Sequence, residues 1–319
     1  MKRALLITLK GSVSLALLVY LFTRIDVEGL LGVLRSTRPA YVLVVLVLYL
    51  ASQIVSSFRW ALLARPVGFD RPFKEFIVYY LIGMFFNLFA PSTVGGDVGR
   101  VYYLASSSPQ SQTWITRTAT ALSTVVADRA VGMAVLIWIA ACALILFPGY
   151  ALPPPVRYVT FGLALGLLLG WLLLPLFYRF FQRLLQPLGE GLRVAIQTYL
   201  SKRQVVLKTM VLSLVIHFGQ AALHVVLGWS LDLEIPWSYA FILYPLVGAF
   251  AAIPISFNGI GLREGGYLFM LQRIEISPEK ALAFSLLWFT VVVLDSLVGG
   301  VVFVFRRRRE GVVEVGGLR

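Results

Sequence analysis

One apolar stretch decides the class of fold. Residues Arg157–Tyr178 read RYVTFGLALGLLLGWLLLPLFY and carry no charge after the first position. A helix rises about 1.5 Å per residue, so about 20 apolar residues cross the ~30 Å hydrocarbon layer of a membrane. This stretch therefore predicts a transmembrane helix.

The composition of the whole chain points the same way. Hydrophobic residues make up 59% of the 319 residues and charged residues only 13%, whereas soluble domains carry about 25% charged residues. The single cysteine, Cys142, excludes a disulfide scaffold, and the apolar content excludes intrinsic disorder. We expect a polytopic helical membrane protein. Its charge is unbalanced, with 28 Lys and Arg against 15 Asp and Glu, a net charge of +13.

Five further apolar runs are long enough to form membrane helices. They are Ala4–Phe22, Tyr41–Phe58, Thr113–Phe147, Val205–Leu231 and Ala281–Phe305. The run Thr113–Phe147 is too long for one upright span, and it predicts a tilted helix with an amphipathic start.

Two other regions begin apolar and then meet Pro, Gly, Asn and charge at a depth where lipid is expected. They are Pro72–Leu104, which contains FAPSTVGGDVGRVYYL, and Pro236–Gln272, which contains AIPISFNGIGLREGGYLF. Counted from Pro91 or Pro254, a glycine follows after five residues and an arginine after nine. This shared spacing indicates an internal repeat. The alternative is a chance likeness between two Gly-rich breaks.

Together these patterns predict an all-α polytopic membrane protein with about six full transmembrane helices. Two re-entrant broken-helix hairpins would be related as an inverted repeat, which is the arrangement of many transporters. We expect a single membrane domain, 1–319, with repeat halves at about 40–147 and 204–305 and a cytoplasmic amphipathic connector at 179–203. If each limb of the two hairpins crosses the membrane fully, the count rises to ten spans, and the two termini stay on the same side of the membrane.

The basic residues orient the chain, because cytoplasmic loops are rich in Lys and Arg. Basic residues cluster before the first span, after the second, between Arg179 and Lys208, and at Arg306–Arg309. The links Phe147–Pro155 and Leu231–Pro236 carry no basic residue and suit the outside. We expect a multi-pass protein of the cytoplasmic (inner) membrane with both termini in the cytoplasm.

The two breaks carry the candidate binding site. Irregular backbone at membrane depth is tolerated where it lines a cavity, and a restarting helix offers free N–H groups to an anion. Arg100 and Arg263 add permanent charge in the fork geometry that binds phosphate. Asp97 and Glu264 would steady the arginines, bind an amine or carry protons. Alternatively, each acid and its neighbouring arginine only satisfy each other.

The remaining candidates complete the site or control it. The other candidate binding residues are Ser92, Gly95, Gly96, Asn258, Gly259 and Gly261. Candidate gating or coupling residues are Arg59, Asp128, Arg129, His217, Gln220 and His224. Arg59 is interpreted mainly as a snorkelling topological anchor. Asp128 and Arg129 do not face each other on a helix, so each needs a partner elsewhere.

His217, Gln220 and His224 share one helix face, which suits interhelical hydrogen bonds, a proton relay or a metal. The absence of nearby acidic or Cys ligands disfavours the metal. There is no GxxxxGK[ST], GxSxG or HExxH motif. We expect no enzyme activity, cofactor or metal.

The chain resembles the lysylphosphatidylglycerol synthase/flippase transmembrane-region family. The resemblance rests on FNLFAPSTVGGDVGRVYYL (Phe86–Leu104), IPISFNGIGLREG (Ile253–Gly265), the Asp128-Arg129 helix and the basic C-terminal end. The family usually has Glu-Arg where this chain has Asp128-Arg129. The resemblance implies translocation of aminoacyl-phospholipids or polyprenyl-phosphate-linked lipids, and it implies a stand-alone member without the aminoacyltransferase domain.

These observations favour a lipid flippase or scramblase that moves a phosphate-bearing lipid across the cytoplasmic membrane. The alternatives are an integral membrane lipid-phosphate transferase or phosphatase, and an ion-coupled transporter of a small anion. The expected partners are membrane lipids with anionic headgroups and no nucleic acid. Two further candidate partners are a second copy of the chain, in a homo-oligomer, and a separate lipid-modifying enzyme.

Overall fold

The protein is an all-α polytopic membrane fold, as the sequence predicts. A computed structural model describes residues 2–23, 25–89, 95–107, 113–181, 190–256 and 258–316, and these residues include no β-strand. The helices are α1 (Lys2–Phe22), α2 (Val27–Arg35), α3 (Pro39–Ala64), α4 (Phe73–Phe89), α5 (Gly95–Ser106), α6 (Trp114–Leu146), α7 (Pro154–Phe181), α8 (Glu190–Ser201), α9 (Arg203–Trp229), α10 (Trp237–Ala251), α11 (Leu262–Leu271) and α12 (Pro278–Gly316).

Five helices in the described part of the chain are long and apolar enough to cross a membrane. Their apolar segments are Pro39–Val67, Trp114–Leu146, Pro154–Tyr178, Arg203–Trp229 and Pro278–Arg306. They match five of the six predicted spans. The sixth, Ala4–Phe22, is helical as α1, but its described apolar part is the shorter segment Thr8–Phe22.

Local sequence explains where several helices begin. Proline opens α3 because its missing N–H would have no partner in the first turn. The Thr113 hydroxyl accepts a hydrogen bond from the Thr116 amide and caps α6, which then runs unbroken to Leu146. The Asp26 side chain caps α2 in the same way. This short helix is not among the predicted apolar runs.

The chain connections at one end of the helices carry many of the basic residues. The Tyr199 hydroxyl of α8 donates to the Leu63 carbonyl at 3.0 Å, which joins the connector helix to the end of α3. The Arg117 guanidinium, near the start of α6, donates to the Ala105 carbonyl at the end of α5. Polar contacts thus tie the end of α3 to α8 and the end of α5 to the start of α6.

The opposite ends of the helices are joined by a second set of polar contacts. Arg38, before α3, forms a 2.7 Å ion pair with Asp232, after α9. Arg273, after α11, donates to the Ala151 carbonyl in the link between α6 and α7. Each contact engages one of the two links that the charge pattern assigned to the outside.

Helix α12 approaches α4 closely through two glycines. A Cβ added at Gly299 would overlap the Leu81 carbonyl oxygen, and one at Gly300 would lie 2.6 Å from the Phe85 ring. Because backbone cannot move aside cheaply, only glycine at position 299 permits this separation of the helices. The close approach fixes α12 beside the α4–α5 pair, which carries part of the candidate site.

We expect Gly299→Ala to destabilise the protein by about 1–3 kcal/mol, because overpacking forces the two backbones apart. Gly219→Ala on α9 is the matched control, since a Cβ there meets nothing within 4 Å. Its effect should stay within about 0.5 kcal/mol. Denaturant unfolding of both variants in detergent measures the difference. Equal stabilities would contradict the close approach.

Candidate functional site

A buried carboxylate joins two arginines near the centre of the site. The Arg59 Nε on α3 donates to Asp128 Oδ1 at 2.8 Å, and Arg100 Nη2 on α5 donates to Asp128 Oδ2 at 3.0 Å. All three side chains are at most 8% exposed. Asp128 on α6 therefore links three helices through charge-assisted hydrogen bonds.

A second carboxylate extends this network. Asp97 Oδ1 lies 3.7 Å from Arg100 Nη1, and Asp97 Oδ2 accepts from Arg129 Nε. Asp128 and Arg129 thus have their partners on other helices, as the helix geometry predicted. Arg129 is the most exposed member, at 47%.

We call Arg59, Asp97, Arg100, Asp128 and Arg129 the charge cluster. Three guanidinium groups face two carboxylates, so its formal charge is +1. Each buried ion costs several kcal/mol in lost hydration unless a partner compensates it. The pairing compensates the acids and leaves one positive charge in excess.

Arg59 differs from the sequence interpretation. It is only 6% exposed, and its Nη1 donates to the Ser213 hydroxyl on α9 at 2.9 Å. Its guanidinium lies close to Gly132 on α6, where a Cβ would come within 3.1 Å. A snorkelling anchor would reach toward the interface, so that interpretation of Arg59 is wrong.

Arg100 lies between two aromatic rings. Its Cζ is 4.2 Å from the Trp60 ring centroid and 4.5 Å from that of Tyr80. The Trp60 indole N–H donates to the Thr124 hydroxyl at 3.0 Å and is thereby held in place. The Nε of Arg100 has no hydrogen-bond partner among the described residues. This Nε atom is itself buried.

A cavity of about 290 Å³ adjoins the charge cluster. All five members of the cluster contribute to its wall. The other described lining residues are Tyr49, Gln53, Tyr80, Gly83, Met84, Asn87, Leu88, Asn258, Val292 and Ser296. The wall thus combines excess positive charge with hydroxyl and amide groups, which suits an oxygen-rich anion.

The cavity wall includes only some of the predicted residues. Of the predicted binding set, Asp97, Arg100 and Asn258 line it. Of the gating set, Arg59, Asp128 and Arg129 line it. Its lining does not include Gly95, Gly96, Gly259, Gly261, Arg263, Glu264, His217, Gln220 or His224. Ser92 and Pro91 lie outside the described residues.

The second break satisfies its own charges. Arg263 Nη2 donates to Glu264 Oε1 at 2.6 Å, and the Gly261 amide donates to Glu264 Oε2 at 2.6 Å. Glu264 therefore caps α11 and neutralises its neighbour. The Arg263 guanidinium lies 4.5 Å from the Phe289 ring centroid on α12. The arginine and the acid therefore satisfy each other, which is the alternative that the sequence left open. The residue of this break that lines the cavity is Asn258.

Glycine is required at both breaks for different reasons. Gly261 adopts a φ of +87°, and a Cβ there would lie 2.6 Å from Leu17 on α1. Gly96 packs against the Gly83 carbonyl of α4, and its amide donates to Asn87 Oδ1 at 2.8 Å. The glycines therefore shape the hairpins rather than line the cavity.

The histidine face forms interhelical hydrogen bonds. His217 Nε2 lies 2.9 Å from the Gly132 carbonyl and must donate to it, so its Nδ1 accepts from the Tyr244 hydroxyl. His224 uses its two nitrogens in the same way, with the Gln220 carbonyl and the Tyr267 hydroxyl. Gln220 donates to Ser52 on α3. Of the three interpretations of this face, interhelical hydrogen bonding fits these contacts.

One ionisable residue escaped the sequence analysis. Asp295 lies within the last apolar run, Ala281–Phe305, and none of its surface is exposed. Neither of its carboxyl oxygens has a hydrogen-bond partner among the described residues. The signal was present, because a single acid in an otherwise apolar span is a functional candidate by default. Tyr49, Gln53 and Asn87 were also missed, as polar residues within apolar runs.

Comparison with known proteins agrees with this architecture. Residues 7–299 match the family described as "Lysylphosphatidylglycerol synthase TM region". The chain belongs to this family and is a multi-pass membrane protein.

Two similar proteins come from archaea. A UPF0104 membrane protein of Methanocaldococcus jannaschii is 28% identical over 138 residues, covering 43% of this chain and 38% of that protein. A second, from Methanothermobacter thermautotrophicus, is 32% identical over 129 residues, covering 40% of this chain and 35% of that protein. The alignments therefore cover little more than a third of either relative's own length.

We expect Asp128→Asn to destabilise the fold by about 3–5 kcal/mol, because it leaves two buried guanidinium groups without their shared acid. The control is Asp232→Asn, whose exposed ion pair with Arg38 should contribute at most about 1 kcal/mol. Adding Arg59→Met to Asp128→Asn should restore part of the loss. Denaturant unfolding of the four proteins measures this, and equal losses at positions 128 and 232 would refute the bridging role.

Proposed function

We propose that the protein is a flippase or scramblase for a phosphate-bearing lipid of the cytoplasmic membrane. The observation that carries the proposal is Arg100, held between Trp60 and Tyr80 at the wall of a polar cavity that all five members of the charge cluster line. A guanidinium fork in this setting recognises phosphate oxygens.

The charge balance supports an anionic headgroup. The charge cluster carries a formal charge of +1, and a phosphodiester brings one negative charge. Binding would therefore neutralise the excess positive charge of the cluster. Asn87 and Asn258 contribute amide groups from the two breaks to the same cavity, and Tyr49 and Tyr80 contribute hydroxyl groups.

The size of the cavity supports translocation of the headgroup alone. A volume of about 290 Å³ is many times the ~10–15 Å³ that a cavity needs to hold one water molecule, so a phosphate group fits. Two acyl chains do not fit beside it. In the proposed mechanism, the headgroup passes through the protein while the tails stay in the bilayer.

The order of helix lengths supports the inverted repeat that we propose for the fold. α3, α4, α5 and α6 have 26, 17, 12 and 33 residues, and α9, α10, α11 and α12 have 27, 15, 10 and 39. Each set places two short packed helices between two long ones. In this proposal the short pairs are re-entrant from opposite faces, and rocking of one half against the other alternates access.

The basic connections support the proposed orientation. Arg65 and Arg71, after α3, lie at the same end of the helices as the connector helix α8, which suits an anionic cytoplasmic leaflet. We place both termini in the cytoplasm on this basis. The proposed partners are anionic membrane lipids, with a second copy of the chain and a separate lipid-modifying enzyme as further partners. No covalent turnover of the lipid is part of the proposal.

We expect Arg100→Gln to lower the rate of lipid transfer at least about tenfold, because a lost charge-assisted hydrogen bond is worth about 1.5–3 kcal/mol. The assay reconstitutes full-length protein in liposomes with a fluorescent anionic phospholipid and bleaches the outer-leaflet label. Arg203→Gln is the matched control, since Arg203 is exposed at the start of α9. Size-exclusion profiles and melting curves confirm that each variant is folded.

A folded Arg100→Gln protein that transfers lipid at the wild-type rate would refute the site. If Arg100→Gln does not fold, Arg100→Lys replaces it as the test variant. Lysine keeps the positive charge but lacks the planar guanidinium that binds two phosphate oxygens. Uptake of inorganic phosphate into sealed vesicles, without lipid transfer, would instead indicate the small-anion transporter. A changed lipid mass after incubation would indicate the transferase or phosphatase.

A further inference from the structure

Asp295 is a buried acid that the proposed headgroup site does not use. It lies on the stripe Trp288, Val291, Asp295 and Gly299, which α12 presents to its neighbours at helical spacing. Trp288 meets Tyr49 of α3 with ring centroids 5.4 Å apart, and Gly299 meets Leu81 of α4. Asp295 therefore lies where α12 packs against the two helices that form part of the cavity wall.

Among the described residues, no side chain forms a hydrogen bond or ion pair with this carboxyl group. α12 packs against α2, α3, α4, α9 and α11. The titratable and charged groups close to this part of α12 include Tyr49 and Arg59 of α3, Tyr80 of α4, His224 of α9, and Arg263 and Glu264 of α11. α2 meets α12 at Glu279, about four turns before Asp295. Within the described residues, none of these groups forms a hydrogen bond to Asp295.

Arg263 and Arg59 are cations close to this part of α12, and both are already engaged, Arg59 by Asp128. The Arg263 guanidinium lies over Phe289, six residues before Asp295, and is bonded to Glu264. The phenol of Tyr49 interacts electrostatically with both Asp295 and Arg263. Asp295 is thus close to a polar network without being part of it.

A carboxyl group in this position binds a proton rather than a metal. An isolated carboxylate in apolar surroundings is so costly that the group becomes neutral instead. A metal would need several oxygen or nitrogen ligands. The described residues contain no group of three or more His, Cys, Asp or Glu side chains that could hold one.

Asp295 also lies next to the cavity along α12. The residues on either side of it along α12, Val292 and Ser296, line the cavity, although Asp295 itself does not. In the proposed rocking of one half of the protein against the other, the packing around Ser296 and Val292 would open and bring the carboxyl group to the cavity. There it would ionise and release its proton to water, and it would take up a proton again before returning to the packed position.

We infer that Asp295 binds and releases one proton in each transport cycle and so couples lipid movement to the proton gradient. The coupling rests on the proposed lipid transport, whereas the protonation of Asp295 does not. Two measurements therefore test the two parts separately.

The first measurement is infrared difference spectroscopy of the purified full-length protein during a pH titration. Wild-type protein should show the carbonyl stretch of a protonated carboxyl group that persists at neutral pH. Asp295→Asn should lose this band, and the exposed-acid control Asp232→Asn should keep it. Absence of the band from wild type, or its persistence in Asp295→Asn, would overturn the assignment.

The second measurement is the steady-state distribution of labelled lipid between the leaflets of proteoliposomes under an imposed pH gradient. One coupled proton shifts this distribution by up to about tenfold per pH unit. Asp295→Asn, which mimics the protonated form, should still be folded and should give the same distribution with and without the gradient. A wild-type distribution that ignores the gradient would overturn the coupling.

The two results separate this inference from the proposed function. If wild type transfers no lipid, the proposed function fails while the infrared band still decides whether Asp295 holds a proton. If Asp295→Asn does not fold, Asp295→Glu replaces it, because it retains a titratable group on the same stripe. The glutamate variant should keep both the band and a response to the gradient, and loss of both would overturn the coupling.

Discussion

The candidate site depends on one carboxylate buried among arginines. Asp128 accepts hydrogen bonds from Arg59 and Arg100 and so ties α3 and α5 to α6. A charge cannot stay within the membrane without such partners, because its hydration is lost and little replaces it. The same contacts orient Arg100 against Trp60 and Tyr80 and direct it toward the cavity. Packing and binding are therefore parts of a single arrangement.

The excess of positive charge follows from this arrangement. Asp97 and Asp128 together cannot neutralise Arg59, Arg100 and Arg129. A soluble protein would leave such a charge to water and salt. Within a membrane protein, the excess favours a ligand that brings its own negative charge. This is why the proposed substrate is an anionic headgroup rather than a neutral lipid.

The long apolar runs made the fold class predictable, because crossing a membrane demands length and hydrophobicity that the sequence displays directly. The site was harder to predict, because its contacts join residues far apart in the chain. Asp128 and Arg129 were expected to have distant partners, but spacing alone could not identify Arg59 or Asp97. Arg59 was misread because its position at the end of an apolar run also suits a surface anchor.

The two arginines with matching spacing show the same limit. Arg100 and Arg263 both follow a proline by nine residues, yet only Arg100 lines the cavity. The difference is local: Arg263 has an acid beside it that also caps its helix, whereas the acids that pair with Arg100 are Asp97, one turn earlier on α5, and Asp128 on α6. A repeat in sequence thus predicts a repeated backbone more safely than a repeated binding role.

The most direct measurement of the central claim is an experimental structure of the protein in a bilayer containing an anionic phospholipid. The account predicts density for a phosphate group in the cavity within hydrogen-bond distance of Arg100, with the acyl chains outside among the helices. A headgroup bound elsewhere, with the Arg100 cavity occupied only by water, would contradict it.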